Sequence, residues 1–317
     1  GGSDVFLAKL SATGAHVWSQ RYGDSSSQVA TSVAVDSTGA TYITGYFAGN
    51  IDFGGGSLLS NGANDVFVAK FVSNGALAWG KTFGTGIDQF GDGVGVDSSG
   101  NVIVTGRFAG SIDFGGGLLV SAGLEDVFLA KLTSAGTYQW AKRFGDATAQ
   151  IPRDIAVDTG GTAVITGSMA GSVDFGGGAL VSAGGTDIFA AKYNSLGNHI
   201  WSKRYGDASN QAGHDIAFDG SGNVLVTGSM AGAADFGGGS LVSAGVDDAF
   251  VAKLDTNAAH VWSKRFGDAS AQRGEAVAAD AFGAVLAGGA FAGSIDVGLG
   301  ALASAGSNDA FFIKFGP

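Results

Sequence analysis

The sequence predicts an all-β fold, a five-bladed β-propeller built from four-stranded antiparallel blades. Three observations carry this. Trp18, Trp79, Trp140, Trp201 and Trp262 stand 61 residues apart, and the same period links Asp52, Asp113, Asp174, Asp235 and Asp296. Each period holds four short apolar runs separated by glycine-containing turns. No stretch sustains the apolar period of a helix.

The elements follow in order along the first full unit. Residues 31–36 (TSVAVD) form a short apolar first strand. Asp36-Ser37-Thr38-Gly39 is a tight turn into a second strand at residues 40–47 (ATYITGYF). A long glycine-rich loop, AGNIDFGGGSLLSNGAN, leads to a third strand at residues 65–71 (DVFVAKF). That strand is apolar on both faces, as expected of a sheet packed between two others. Ser73-Asn74-Gly75 then turns the chain into a fourth strand at residues 77–83 (LAWGKTF). The fourth strands carry Arg21, Lys81, Lys142, Arg143, Lys203, Arg204, Lys264 and Arg265. Charge of this kind guards an exposed sheet edge, so the fourth strand is placed at the rim. The coils of a parallel β-helix are much shorter than this repeat.

The same arithmetic predicts how a ring would close. Lys9, Lys70, Lys131, Lys192, Lys253 and Lys314 mark six copies of the third strand, against five of the others. The expected single domain spans residues 1–317. Its last blade would combine residues 275–280, 284–291 and 309–315 with residues 16–22, so N-terminal strands within 4–22 complete or flank it. One third-strand copy, residues 4–10 or 309–315, is then surplus. The N-terminal copy is the one expected to be displaced, and to add to another sheet edge, including that of a second molecule.

Composition narrows the function classes. There is no cysteine, which excludes a disulfide framework and thiolate metal sites. An apolar fraction of 45% excludes disorder, so the 57 glycines serve turns. A net charge of −11 argues against nucleic-acid partners, whose affinity comes from basic residues on phosphates. No apolar run approaches the ~20 residues of a transmembrane helix, so no membrane insertion is expected. The opening Gly1-Gly2-Ser3 lacks a methionine, as expected of a processed product or an excerpt.

Residues 90–132 read FGDGVGVDSSGNVIVTGRFAGSIDFGGGLLVSAGLEDVFLAKL, and all five units share the pattern. It resembles the SBBP-type bacterial beta-propeller repeat family. The resemblance implies a propeller in a secreted or cell-surface bacterial protein. It carries over no catalytic residue, cofactor or metal.

Several repeated residues invite a functional reading. Asp36 and its equivalents Asp97, Asp158, Asp219 and Asp280 open the first turn, where Asp-x-Ser resembles a calcium ligand run. No bidentate glutamate follows, and an aspartate tying its own turn amides is favoured. Asp52 and its equivalents precede Phe-Gly-Gly-Gly in four units and Val297-Gly298-Leu299-Gly300 in the fifth, and are read as loop ties, since no helix follows to make a phosphate cradle. Asp4, Asp65, Asp126, Asp187, Asp248 and Asp309 open the third strands and are expected to pair with neighbouring blades. His16, His199 and His260 share one repeat position on separate blades, which argues against a shared metal. The tryptophans are expected to pack between blades rather than to stack on sugars.

The crossing between blades is the candidate site, at an axial mouth. It contains Gln28, Gln89, Gln150, Gln211 and Gln272. Three residues on, otherwise identical repeats diverge to Thr31, Asp92, Arg153, His214 and Glu275. The next position reads Ser32, Gly93, Asp154, Asp215 and Ala276. Glycoside hydrolysis would need paired carboxylates there, from Asp92, Asp154, Asp215 or Glu275, with His214 as acid or base. No nucleophile motif supports that chemistry. The expected function is a noncatalytic extracellular interaction or structural module, with a multivalent carbohydrate binder as the alternative. Expected partners are a protein, a second copy of the chain through the surplus strand, or a glycan.

Overall fold

A computed structural model describes residues 2–298 and 300–316, and those residues form strands, turns and bends without a helix. The chain comprises two compact units, Gly1–Ala147 with Thr159–Gly161, and Thr148–Asp158 with Thr162–Pro317.

The first unit starts with a hairpin of Val5–Leu10 and His16–Tyr22. Sheet 1 follows, from Gln28–Val35, Thr41–Phe47, Asp65–Phe71 and Leu77–Phe83. Sheet 2 uses Gln89–Val96, Val102–Phe108, Asp126–Leu132 and Tyr138–Phe144. Each is an antiparallel meander in chain order.

The second unit repeats the pattern. Sheet 3 is Gln150–Val157, Ala163–Met169, Asp187–Tyr193 and His199–Tyr205. Sheet 4 is Gln211–Phe218, Val224–Met230, Asp248–Leu254 and His260–Phe266. Sheet 5 has Gln272–Ala279, Val285–Phe291 and Asp309–Phe315.

The third strand shows why these residues form sheets buried on both faces. Val66 and Val68 pack against Val94, Val102 and Phe108 of sheet 2. Phe67, Ala69 and Phe71 pack the other way, onto Val5, Tyr22 and Phe53. β-branched and aromatic side chains fit such a doubly covered pleat. The first turn is tied as expected: Asp36 Oδ1 accepts the amides of Thr38 at 2.9 Å and Ala40 at 3.0 Å. Gly39 takes φ +78° there, a conformation costly for any side chain.

The glycine-rich segment is more ordered than the loop the sequence predicts. Asn50–Asp52 pairs with Ser57–Leu59 in a small hairpin. Asp52 Oδ1 accepts the amides of Gly54 at 2.7 Å and Gly56 at 3.1 Å, which closes its tip. Phe53 then lies 5.2 Å from the Phe67 ring, and Phe236 lies 5.1 Å from Phe250 in sheet 4. The Asp-Phe-Gly-Gly-Gly motif is thus a plug for the edge of the core.

Lys70 and Trp79 are cross-strand partners, and both donate to the Ser134 carbonyl of sheet 2, at 3.3 and 3.0 Å. Lys192 and Trp201 do the same to Thr256, at 3.2 and 3.0 Å. The tryptophan therefore clamps successive sheets. Each histidine of the shared position bonds a serine three residues on, as His199 does with Ser202 at 3.1 Å.

Two expectations are corrected. In sheets 2 to 4 the aspartates that open the third strand pair within their own sheet, with an arginine of the fourth strand, as Asp126 does with Arg143 at 2.6 Å and Asp187 with Arg204 at 2.8 Å. The antiparallel register brings the two residues together, so no neighbouring sheet is needed. The predicted strand exchange is also replaced. His16–Tyr22 pairs with Val5–Leu10, while Asp309–Phe315 pairs with Val285–Phe291. Val5–Leu10 reaches His16–Tyr22 through a short turn, and so local a closure costs little chain entropy.

Candidate functional site

The candidate residues sit at the start of each first strand. The five glutamines are buried, at 0 or 1% exposure, with their amides engaged. Gln28 donates to Asp24 Oδ1 at 2.8 Å and to the Ala48 carbonyl at 3.1 Å, and its oxygen accepts the Asp24 amide at 3.2 Å. Gln272 repeats the arrangement with Asp268 and Ala292. Gln89 and Gln150 donate to Ala109 and Ala170, each at 3.2 Å, and Gln211 to Ala231. The glutamines hold the crossing loop to the end of the second strand.

Three residues on, every first strand carries a β-bulge. Ala30 and Ser32 oppose consecutive residues of the second strand, so Thr31 is the extra residue. Asp92, Arg153, His214 and Glu275 are the extra residues of the other four. The divergent position of the sequence is therefore the bulge position. A bulge stands outside the pairing ladder and re-aims its side chain.

In three of the five repeats the residue after the bulge ties sheets together. Ser32 Oγ accepts the Val94 amide at 3.2 Å. Asp154 Oδ2 accepts the Ile216 amide at 3.1 Å, and Asp215 Oδ2 accepts that of Val277. Burial and the adjacent Asp215 carboxylate push the Asp154 carboxyl well above the usual range. These two aspartates bind backbone rather than opening to solvent.

The bulge residues themselves behave differently in the two units. In the first, the Thr31 hydroxyl donates to the Gly91 carbonyl at 2.7 Å. Asp92 accepts from Arg107 at 2.9 Å, and Arg107 also reaches Glu125 at 3.2 Å. The Arg107 guanidinium lies 4.5 Å from the Phe90 ring centre, with Tyr46 against the same ring at 4.8 Å. Side chains thus fill the space beside this bulge.

In the second unit the matching space is open. Arg153, His214 and Arg273 line a cavity of about 390 Å³ together with Ser168, Asn210 and Ser229. The same three residues and Glu275 line an adjoining cavity of about 230 Å³. His214 Nδ1 donates to the Gly274 carbonyl at 2.9 Å, which places the ring proton there. Nε2 then accepts from the Ser229 hydroxyl at 3.4 Å. Burial lowers the His214 pKa against the opposing pull of Glu275, and Arg153 and Arg273 lower it further. Glu275 Oε2 is 3.5 Å from Nδ1, and Arg273 pairs with Asp247 at 3.4 Å.

Of the twelve residues predicted from sequence, Arg153, His214 and Glu275 converge on this cleft, and Gln211 lies in its floor. Thr31 and Asp92 lie in the other unit, and Asp154 and Asp215 turn to backbone amides. Of the carboxylates considered for glycoside chemistry, only Glu275 lines the cleft among the described residues. Sequence reasoning missed Arg273, Asp247, Ser168 and Ser229. For three of them the signal is present: Val29, Phe90, Ile151, Ala212 and Arg273 diverge at one repeat position, and Tyr46, Arg107, Ser168, Ser229 and Ala290 at another. Ser168, Ala212 and Ser229 are small, and the cavity occupies the room that Phe90 and Arg107 fill in the first unit.

One comparison falls on the fourth strand of sheet 3 and the first two of sheet 4. Residues 200–229 match the SBBP beta-propeller repeat. The SBBP match covers one segment, whose pattern recurs through the near-identical units on either side. A curated relative is an uncharacterized WD repeat-containing protein, L264, of Acanthamoeba polyphaga mimivirus. It is 24% identical across 69% of this chain, and the match spans only 19% of the viral protein. Both similarities are to repeat-built proteins.

Proposed function

We propose that this chain is a noncatalytic interaction module of a secreted or cell-surface bacterial protein, with its SBBP repeats forming one five-bladed propeller. One observation carries the reading. The position at which the repeats diverge is a bulge in every first strand, and in the second unit three of these bulge residues meet in an open polar cleft. Such a site varies a binding surface over a constant frame. The test is the triple replacement of Arg153, His214 and Glu275 by Ser, in a pull-down or biosensor assay against the partner. Binding is expected to be lost while stability changes by about 0.5 kcal/mol or less per site. Unaltered binding would return these positions to neutral drift.

Two readings of the partner have specific support. The cleft is lined by hydroxyl, amide and charged groups, which suits a hydroxyl-rich ligand and hence a glycan. Separately, two third-strand copies present apolar faces among the described residues. Phe6 is 77% exposed and Phe312 is 68% exposed, whereas the equivalents of Phe6 in sheets 1 to 4 are fully buried. Burying one such side chain is worth roughly 1.5–3 kcal/mol. That favours addition of a second copy of the chain, or of another protein, at these faces.

A further inference from the structure

Arg153 stands apart among the charges of the second unit's cleft. Arg273 is paired with Asp247, and Glu275 leans on His214. Arg153 lines both cavities and makes no ion pair or hydrogen bond among the described residues. It is the extra residue of its bulge, so its guanidinium is not needed for the sheet. Around it lie the Ser168 and Ser229 hydroxyls and the Asn210 amide, with Asp247 and Glu275 as acceptors.

We propose that this cleft binds a saccharide carrying a single carboxylate, such as a hexuronate unit, with the carboxylate on Arg153 and the sugar hydroxyls on the surrounding polar groups. This names the ligand class for the interaction reading above and rests on it. A planar guanidinium receives a carboxylate through two parallel hydrogen bonds. The formal charges of Arg153, Arg273, Asp247 and Glu275 cancel, so the cleft tolerates one added negative charge rather than several. The chain's net charge of −11 also opposes the approach of a densely charged polyanion. Asp247 and Glu275 accept hydrogen bonds, which suits hydroxyl donors and repels a second acid group. Among the described residues, the lining around Arg153 offers no large apolar pocket for a peptide side chain. A volume of about 390 Å³ lies at the small end of ligand sites, fitting one sugar unit.

The test is nuclear magnetic resonance on the whole chain, labelled with ¹⁵N, following the Arg153 Nε–H and the His214 ring. The probes are sodium glucuronate, glucose, sodium acetate and a blocked Gly-Asp-Gly peptide at equal ionic strength. Glucuronate is expected to shift both signals saturably, and glucose to shift neither at the same concentration. Acetate and the peptide are expected to bind at least threefold more weakly than glucuronate. R153Q is expected to weaken glucuronate binding at least tenfold with an unchanged melting temperature, and R153K to restore part of it. The proposal is overturned if glucose matches glucuronate, if acetate or the peptide binds as well, or if R153Q binds normally. It is equally overturned if glucuronate shifts neither signal. That last result would leave the broader interaction reading intact, which fails only if the triple serine variant still binds its partner.

Discussion

The carboxylate of Asp126 is gripped by the Arg143 guanidinium at 2.6 Å across neighbouring strands of sheet 2. Asp187 with Arg204, and Asp248 with Arg265, repeat the grip. Sheet 1 lacks it, because Thr82 stands where the arginine would be. Asp65 is fully buried there, and burial raises its pKa with only the Asn61 amide opposing.

Thr82→Arg is therefore expected to stabilise the protein. Hydrogen bonds to a buried charge contribute about 1.5–3 kcal/mol before the cost of ordering the new side chain, so a net gain of about 1 kcal/mol is expected. The sign of the pH dependence follows. Asp65 now has a raised folded pKa, so its contribution is present below the unfolded value and lost as pH rises through the folded one. The arginine removes that loss, so the gain in denaturation midpoint should be larger at pH 7 than at pH 3. An equal or negative change at pH 7 would refute this account of Asp65.

Asp154→Asn tests the buried carboxylate pair. The Asp154 carboxyl is raised by burial and by Asp215, so its ionisation opposes folding as pH climbs above the ordinary carboxylate range. An asparagine oxygen can still accept the Ile216 amide, and its NH₂ can donate to Asp215. The variant should be more stable than the parent at pH 7, by about 1 kcal/mol, and no more stable at pH 3. Urea titrations at the two pH values would decide it.

Gly106 marks the tightest point of the bulge. A Cβ there would lie 2.0 Å from the Phe90 carbonyl oxygen and 2.6 Å from the Phe128 ring. Backbone and a core aromatic cannot both give way. Gly106→Ala is expected to destabilise by about 3 kcal/mol, the upper part of the range for overpacking. Thermal unfolding within 1 °C of the parent would show that the bulge relaxes freely.

Much of this frame was legible in the sequence. Residues 65–71 and 77–83 were read as strands and are strands, because apolar runs end there at Ser-Asn-Gly or at glycine. The first strand was read three residues too short. Gln28 and Thr31 look like loop residues, yet Gln28 is buried by its amide bonds and Thr31 is the bulge that breaks alternation. The Asn50–Asp52 and Ser57–Leu59 pair was read as loop, since three-residue strands carry too little periodicity. At the site, divergence among repeats singles out Arg153, His214 and Glu275, which line the second unit's cleft. It did not show that Asp154 and Asp215 point at amides, because that depends on which neighbour lies across from them. Arg273 stands directly after its glutamine, at a position whose other copies (Val29, Phe90, Ile151 and Ala212) are apolar, so its charge reads as an isolated exception.

The terminal third strands give a prediction about association. With Phe6 and Phe312 exposed, the protein is expected to self-associate as its concentration rises. Replacing Phe6 and Phe312 together by Ser should abolish this. Sedimentation velocity from micromolar to hundreds of micromolar will show it as a rising weight-average coefficient. A constant monomer value for the full chain would exclude the second copy as the occupant.

The bulges also make this chain a natural library scaffold. Thr31, Asp92, Arg153, His214 and Glu275 each stand outside their sheet's ladder, so the hydrogen-bonding frame does not read their identity. Randomising those five codons would vary the presented chemistry while the glutamine ties, the Asp-Phe-Gly-Gly-Gly plugs and the tryptophan clamps stay fixed. New specificities should then be selectable without a matching round of stability repair.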